Sequence, residues 1–192
     1  MEKIETPIPG VFLLRPAVFR DRRGCFFEAW NKREFCALGI TDDFVQDNES
    51  HSAYGVVRGL HFQRNPHEQA KLVRVTQGCV LDVVVDIRRG SPAFGRVFSA
   101  VLSAENMHEL YIPAGMAHGF SVLSDTAVLN YKCAGYYAPE AEGCILAEDE
   151  DLGIDWKVEK ARRIYSDKDR KGMTFAAYCR SPAFEFPGTA GK

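Results

Sequence analysis

Short apolar runs, separated by turn residues, recur along most of the chain. The segment KLVRVTQGCVLDVVVDIR (71–88) predicts two strands that meet at Gln77-Gly78, because Val, Leu and Ile supply a buried pleated face on either side of that turn. Many short strands with few helices favour an all-β barrel or sandwich, since closing a sheet removes its edge strands. The other predicted strands cover 10–19, 24–30, 96–103, 108–113, 119–124 and 127–133.

Helical signals are few. Asn31 is followed by KREFCAL and Gly39, which predicts one short helix with an N-cap residue and a C-terminal glycine. A second helical or irregular region is predicted near 157–172. The sequence contains no repeat, low-complexity tract or Gly/Ser linker, so we expect a single domain over residues 1–192.

Composition and charge exclude several classes of partner. The chain of 192 residues is 46% hydrophobic and 26% charged, as is ordinary for a globular protein, and its net charge of −2 gives no bulk attraction to nucleic acid or to an anionic membrane. No apolar run approaches the ~18 residues of a membrane span, and the first residues lack the plan of a signal peptide. The six cysteines are scattered, so we expect reduced thiols and a cytoplasmic protein.

One histidine lies in an apolar predicted strand, in the sequence RGLHFQ. His61 has Arg58, Lys71, His118 and Tyr131 on neighbouring predicted strands or strand entries. An imidazole can act as a base near neutral pH, an ammonium can stabilise an enolate oxygen, and a phenol can return a proton. Such a set indicates proton abstraction beside a carbonyl with reprotonation on the other face, which is epimerisation. The alternative is a buried histidine hydrogen-bonded to the backbone.

A second motif, P-x-G-x-x-H over residues 113–118, resembles the second motif of the cupin superfamily of jelly rolls. At the place of the first cupin motif the chain reads His61-Phe62-Gln63, and glutamine is a poor metal ligand beside imidazole. A metal-dependent cupin with His61, His67 and His118 as ligands is therefore the weaker alternative, and we expect no metal.

The turn RDRRG (20–24) carries three arginines, which are most often solvated. Because guanidinium groups bind phosphate bidentately, Arg58 together with one turn arginine is a candidate clamp for a diphosphate. Phe19 or Phe26 would supply a flat face for a base, although both are more often core residues.

Several segments in order, among them FRDRRGCFFEAW, FVQDNESHSAYGVVRGLHFQ, QAKLVRV, YIPAGMAHGFSVLSD and DLGIDW, resemble the dTDP-4-dehydrorhamnose 3,5-epimerase family from about residue 4 to about residue 170. The resemblance implies a cupin-type double-stranded β-helix jelly roll with a few short helices, a cytoplasmic homodimer without metal or other cofactor. It also implies inversion of C3 and C5 of dTDP-4-dehydro-6-deoxy-D-glucose, giving dTDP-4-dehydro-L-rhamnose in dTDP-L-rhamnose biosynthesis.

The resemblance assigns four catalytic roles. His61 matches the base that removes the protons at C3 and C5, and Tyr131 matches the tyrosine that donates a proton on the opposite face. Lys71 matches the cation beside the C4 oxygen. Asp169 matches the carboxylate that orients the histidine, but the segment before it is one residue longer than in relatives, so Asp167 competes for this role.

The resemblance also assigns substrate contacts. Arg23 and Glu28 match a substrate-binding pair that the dimer contributes across its interface. The remaining positions are Gln46, Asn48 and Arg58 at the nucleotide and diphosphate, Lys71, His118 and Glu142 near the sugar and the mouth of the pocket, and Lys168 near the orienting aspartate.

Two departures from the family's sequence pattern leave the identity of the sugar substrate open. The chain reads Leu146-Ala147-Glu148-Asp149 where relatives commonly have Leu-Trp-Asn-Asp, and Ala134-Gly135-Tyr136-Tyr137 where they often have Thr-Asn-Tyr-Tyr. The alternatives are therefore a C3-only epimerase or a ketoisomerase of another dTDP-4-keto-deoxyhexose. A non-catalytic sugar-binding cupin is a further alternative from a different class.

Overall fold

The structure, a computed structural model, describes residues 1–187 of the chain. Strands make up most of its regular elements, and both α-helices are short. The domain predicted over residues 1–192 includes residues 188–192, which lie outside the described part of the chain. The strands are β1 (Glu2–Glu5), β2 (Phe12–Arg15), β3 (Phe19–Asp21), β4 (Gly24–Phe26), β5 (Gln46–Ala53), β6 (Val57–Gln63), β7 (Lys71–Gln77), β8 (Cys79–Asp86), β9 (Arg88–Arg89), β10 (Val97–Ser103), β11 (Glu109–Ile112), β12 (Met116–Val122), β13 (Thr126–Cys133), β14 (Glu142–Cys144) and β15 (Phe184–Glu185), and the helices are α1 (Lys32–Ala37) and α2 (Phe175–Arg180).

Two antiparallel sheets face each other. A six-stranded sheet has the order β1-β2-β11-β7-β13-β5, and a five-stranded sheet has the order β10-β8-β12-β6-β14. Val73 and Leu129 of the first sheet belong to the same buried cluster as Val84 and Phe120 of the second, which places this core between the sheets. The predicted all-β class is confirmed.

The outer faces of the sandwich are covered as well, at least in part. Val83 and Val85 of β8 pack with Trp156 and Tyr178 from the C-terminal part of the chain. On the six-stranded sheet, α1 contributes Phe35 to a third buried cluster. Because both faces of β8 are buried, its sequence reads as a nearly continuous apolar run rather than an alternating one.

The predicted turn between β7 and β8 is present and requires glycine. Gly78 has φ +75°, and a Cβ atom there would lie 2.0 Å from the carbonyl oxygen of Thr126. The predicted helix is also confirmed as α1, with the Asn31 side chain accepting hydrogen bonds from the backbone N–H groups of Arg33 and Glu34.

Two predicted strands are too long. The segment 10–19 divides into β2 and β3 with Pro16 between them, because proline has no N–H to donate to a ladder. The segment 24–30 is a strand only in β4, which pairs with β3 alone, and all six residues of these two strands are exposed.

The region 157–172 is irregular apart from turns of 3₁₀ helix at Lys160–Arg162 and Asp169–Lys171, as predicted. Sequence reasoning did not identify α2. Among the described residues, no helix has the length and apolarity needed to cross a membrane.

Candidate active site

Both sheets contribute side chains to one cleft. A cavity of about 400 Å³ is lined by His61 and Arg58 of β6, His118 of β12, Lys71 of β7 and Tyr131 of β13. The first three lie on the five-stranded sheet and the last two on the six-stranded sheet. The structure therefore brings together the five residues that the sequence placed on neighbouring strands.

An adjoining space of about 110 Å³ extends this cleft. It shares His61, Lys71 and Tyr131 with the larger cavity. The other predicted substrate-binding residues that line it are Gln46, Asn48 and Glu142.

A hydrogen bond joins His61 to Asp169. His61 Nε2 lies 2.5 Å from Asp169 Oδ1, and the carboxylate side chain is 3% exposed whereas the imidazole is 31% exposed. Burial alone raises the pKa of Asp169, but hydrogen bonds from His61 and Ser166 outweigh it and hold that pKa below its ordinary value. The carboxylate is thus ionised and fixed behind the imidazole. Asp167, the competing residue, is exposed.

Ser166 holds the carboxylate from its other side. Its hydroxyl donates to Asp169 Oδ2 at 2.8 Å and accepts from the Asp169 backbone N–H at 3.1 Å. Since one oxygen of Asp169 binds Ser166 and the other binds His61, the carboxylate has a fixed orientation.

Close approach of β6 and β12 sets the position of His61. His61 pairs with His118 across these strands, and a bulge follows at Gly119. A Cβ atom on Gly119 would lie 2.5 Å from the Arg58 carbonyl oxygen, and one on Gly59 would lie 2.6 Å from Gly119 Cα. Glycine at both positions lets the backbones meet at this point and directs His61 into the cleft.

A second His–Asp pair lies beside the first. His118 Nε2 is 2.9 Å from both oxygens of Asp82, which is fully buried on β8. Sequence reasoning missed Asp82. The available signal was a carboxylate within the apolar run LDVVVD, where a buried charge requires a partner.

Lys71 and Tyr131 face the imidazole from the opposite sheet. The ammonium nitrogen lies 5.9 Å from the centroid of the Tyr131 ring. Desolvation lowers the pKa of Lys71 and raises the pKa of Tyr131. The tyrosine thus stays protonated over the neutral range and can donate, and a poorly hydrated ammonium interacts strongly with an oxyanion.

Polar side chains close the cleft near Glu142. Its Oε2 accepts a hydrogen bond from the Tyr137 hydroxyl at 2.7 Å and forms an ion pair with the Lys168 ammonium. Gln46 accepts from the Tyr137 backbone N–H at 3.1 Å and donates to Asn48 at 3.0 Å. Tyr137, which sequence reasoning did not assign, thus connects two sides of the opening.

Arg58 lines the cleft, whereas Arg23, from the turn RDRRG, does not. Arg58 Nε donates to the Ser52 hydroxyl at 3.2 Å, which fixes the guanidinium at the cavity wall. Arg23 lies in the turn of the β3–β4 hairpin, where it pairs with Asp21 at 2.5 Å and its side chain is 85% exposed. Arg23 and the exposed Glu28 do not line the cleft of their own chain.

The metal-binding alternative requires His61, His67 and His118 together, and the structure does not assemble them. His67 is exposed near Glu140, and Gln63 is held by the backbone, with its amide donating to the His67 carbonyl at 2.7 Å. Phe19 and Phe26 are not core residues, since they are 67% and 70% exposed.

Another set of possible metal ligands includes the His61–Asp169 pair itself. His61, Asp169 and Cys144 have donor atoms within 4.8 Å of one another. Burial raises the pKa of Cys144 to about 12, so this thiol stays protonated, and a thiol binds metal poorly compared with a thiolate.

Ala147 and Gly135, at the two departures from the resemblance, do not line the cleft. Ala147 is buried, and the indole of the fully buried Trp156 donates to its carbonyl at 2.8 Å. Gly135 accepts a hydrogen bond from the Gln69 amide at 2.5 Å.

Comparison with known proteins places this arrangement in context. The family model described as dTDP-4-dehydrorhamnose 3,5-epimerase matches residues 5–177. A dTDP-4-dehydrorhamnose 3,5-epimerase of Pseudomonas aeruginosa is 51% identical over 177 residues, which cover 92% of this chain and 97% of that protein.

Solved structures agree with this match. A dTDP-6-deoxy-D-glucose-3,5-epimerase from Legionella pneumophila, in complex with dTDP-4-keto-L-rhamnose, is 42% identical with a TM-score of 0.91 and covers 96% of this chain and 98% of its own. A 3'-monoepimerase from Streptomyces bikiniensis in complex with dTDP-quinovose is 35% identical with a TM-score of 0.84, covering 91% and 88%. The predicted cupin-type jelly roll is confirmed.

Proposed function

Because the chain belongs to the dTDP-4-dehydrorhamnose 3,5-epimerase family, we propose that it inverts C3 and C5 of dTDP-4-dehydro-6-deoxy-D-glucose in dTDP-L-rhamnose biosynthesis. The observation that carries the proposal is the His61–Asp169 dyad on one side of a cleft that has Lys71 and Tyr131 on the other. This arrangement places a base, an oxyanion-stabilising cation and a proton donor around one cavity.

The dyad defines which nitrogen is the base. With the Nε2–H of His61 donated to the ionised Asp169, the neutral imidazole carries its lone pair on Nδ1. Nδ1 takes the proton from the carbon next to the C4 carbonyl. Asp169 then stabilises the imidazolium that forms, without taking the proton itself.

Loss of that proton moves negative charge onto the C4 oxygen. The ammonium of Lys71 is the cation that stabilises this enolate, since it is poorly hydrated and lines the same cavity as His61. No electron leaves the substrate, so the proposed reaction requires no redox cofactor, and the chain supplies its own cation in place of a metal.

Reprotonation from the other face completes each inversion. Tyr131 stands on β13 and His61 on β6, which belong to opposite sheets, so the phenol reaches the sugar from the side opposite the base. Tyr131 gives its proton to the carbon, and solvent later takes the proton from His61 and restores that of Tyr131. The same cycle then acts at the second carbon.

We also propose a homodimer in which Arg23 and Glu28 reach the cleft of the partner subunit. The β3–β4 hairpin supports this, because Phe19 and Phe26 pair across it while both are mostly exposed. A free two-stranded ribbon is marginal in water, whereas a second subunit would bury these rings.

The proposed compartment is the cytoplasm. All six cysteines are free thiols, which fits a reducing environment. A C3-only epimerase remains the second candidate, because the Streptomyces bikiniensis 3'-monoepimerase shares the fold at 35% identity.

Incubation with dTDP-4-dehydro-6-deoxy-D-glucose in D2O, followed by NMR, tests the proposal. We expect deuterium at both C3 and C5; deuterium at C3 alone would favour the monoepimerase, and none at either carbon would contradict epimerase activity. The His61→Ala variant should lose exchange, and the exposed His67→Ala variant, outside the cleft, should retain it. Exchange at the wild-type rate in His61→Ala would refute the assignment of the base.

A further inference from the structure

A second cavity, of about 340 Å³, opens on the other face of the six-stranded sheet. Side chains alternate along β7, so Lys71 and Val73 point to the interior of the sandwich while Arg74 points outward. The strand register places Glu109 of β11 beside Arg74, and Arg74 beside Asn130 of β13, in one row on this outer face. The cavity and the candidate active-site cleft thus lie on opposite faces of the sheet, with Tyr131 lining both.

Glu109 is the unusual residue in this cavity. It is fully buried, and neither carboxyl oxygen has a hydrogen-bond partner among residues 1–187. A buried carboxyl group without partners is strongly disfavoured, so its presence on the cavity wall indicates that something outside the chain completes it.

Trp30 lines another wall of the cavity. Its indole N–H is buried and lacks an acceptor within the described part of the chain. The Lys132 ammonium lies 5.8 Å from the centroid of the indole ring. A group that accepts hydrogen bonds would therefore fit between Trp30 and Glu109 if Glu109 carried a proton.

The charges of the cavity favour an anion. Arg74 forms no ion pair in the segment that the structure describes, whereas Lys132 pairs with Asp47 of β5 at 2.7 Å. Burial raises the pKa of Glu109 to about 8, although Arg74 and Lys132 act against this shift. Glu109 is thus neutral at pH 7, and the ionised side chains that line the cavity, Arg74, Lys132 and Asp47, sum to one positive charge. Glu49 of β5 lies outside this lining, where it accepts a hydrogen bond from Asn130 at 2.8 Å.

We propose that this cavity binds a small tetrahedral oxyanion, such as a sulfate or phosphate group. Arg74 supplies the cation, Trp30 donates its indole N–H, and Glu109 donates the O–H of its carboxyl group. A protonated carboxyl group in an apolar site is an established hydrogen-bond donor to an anion. The proposed ligand is the free ion, since the three donors recognise the oxyanion group itself.

Sulfate is the probe for the test because its charge does not change between about pH 6 and pH 10. Trp30 and Trp156 are the two tryptophans of the chain. Binding is followed by tryptophan fluorescence and by calorimetry, in the presence of dTDP at saturation so that the catalytic cleft is occupied. We expect one sulfate per chain, with affinity that is constant below pH 8 and falls about tenfold per pH unit above it, as loss of a required proton predicts.

Three variants make the test specific. Glu109→Gln keeps a donor that cannot ionise, so its affinity for sulfate should stay level from pH 6 to pH 9. Trp30→Phe should lose the fluorescence change and bind at least about tenfold more weakly by calorimetry, and Arg74→Gln should do the same by calorimetry.

Absence of sulfate binding at this site, equal affinity in Trp30→Phe, or a pH dependence that Glu109→Gln retains would each overturn the proposal. None of these measurements uses the keto-sugar. Their failure is therefore distinguishable from failure of the proposed epimerase activity.

Discussion

His61 and Asp169 lie 108 positions apart in the chain, and a 2.5 Å hydrogen bond joins them in the fold. The carboxylate belongs to a short 3₁₀ turn that packs against β6, and Ser166 fixes it from behind. The imidazole therefore has Nε2 engaged by the carboxylate, and the residue lines the cleft. The proposed chemistry depends on this hydrogen bond.

Asp169→Asn should slow deuterium incorporation at C3 and C5 by about 10²- to 10⁴-fold, because the amide no longer stabilises the imidazolium and permits the other tautomer. The measurement is the rate of NMR exchange in D2O with each variant. Asp167→Asn is the matched control, since Asp167 is exposed two positions away and should exchange at the wild-type rate. If the control were slow and Asp169→Asn were not, the orienting role would pass to Asp167.

Tyr131→Phe should separate exchange from inversion. Without the phenol, His61 still removes a proton and returns a deuteron to the same face, so deuterium enters while the configuration is kept. We expect inversion to fall by about 10²- to 10⁴-fold with a much smaller loss of exchange. Both quantities are read from the same NMR time course. Tyr136→Phe, at an exposed position, is the control, and equal losses of exchange and inversion in Tyr131→Phe would contradict a donor role.

The proposed dimer predicts complementation between two inactive chains. Arg23→Ala and His61→Ala, each inactive alone, should regain activity when unfolded together and refolded as a mixture. Random pairing makes about half of the dimers mixed, and each mixed dimer has one intact site, so about a quarter of wild-type activity should return. Sedimentation measures the dimer in parallel. A mixture that stays inactive although dimers form would show that Arg23 serves its own subunit.

Glu109 should make stability depend on pH. The pKa of its carboxyl group rises from 4.5 to about 8 in the folded protein, so between these values the folded state keeps a proton that the unfolded chain has lost. Stability contributed by this proton decreases as pH rises, by up to about 1.4 kcal/mol per pH unit, and levels off above pH 8. Glu109→Gln lacks this effect. The free energy of unfolding of Glu109→Gln relative to that of wild type should therefore increase with pH. Urea unfolding at pH 5, 7 and 9, in chloride buffer, measures this difference, and a constant difference would contradict the shifted pKa.

Local patterns predicted much of the fold. The turn at Gly78, the cap at Asn31 and the apolar run of β8 each have a cause within a few residues, and all three are present. The residues of the candidate cleft were also predicted from the sequence, because Lys71 and Tyr131 lie in segments whose apolar pattern clearly predicts strands.

What escaped prediction has longer-range causes. The strand β5 reads QDNESHSA, which is too polar to signal a strand, and pairing with β13 along its full length explains why it forms. Asp82 required knowledge that β12 lies beside β8 and brings His118 to it. Asp169 was assigned through the family resemblance, but the choice between it and Asp167 depends on the turn at 169–171, which no periodicity predicts.

The two sheets that hold His61 and Tyr131 face each other across the core, and facing sheets are spaced by side-chain packing at about 10 Å. The distance between proton acceptor and proton donor is thus a property of the thickness of the sandwich, not of any loop. Loops at the mouth can turn or shift a sugar between the sheets, but they cannot bring the two groups closer. For the proposed mechanism, we therefore infer that the number of carbons inverted depends on how many ring orientations the mouth admits, while the same base and donor serve each inversion.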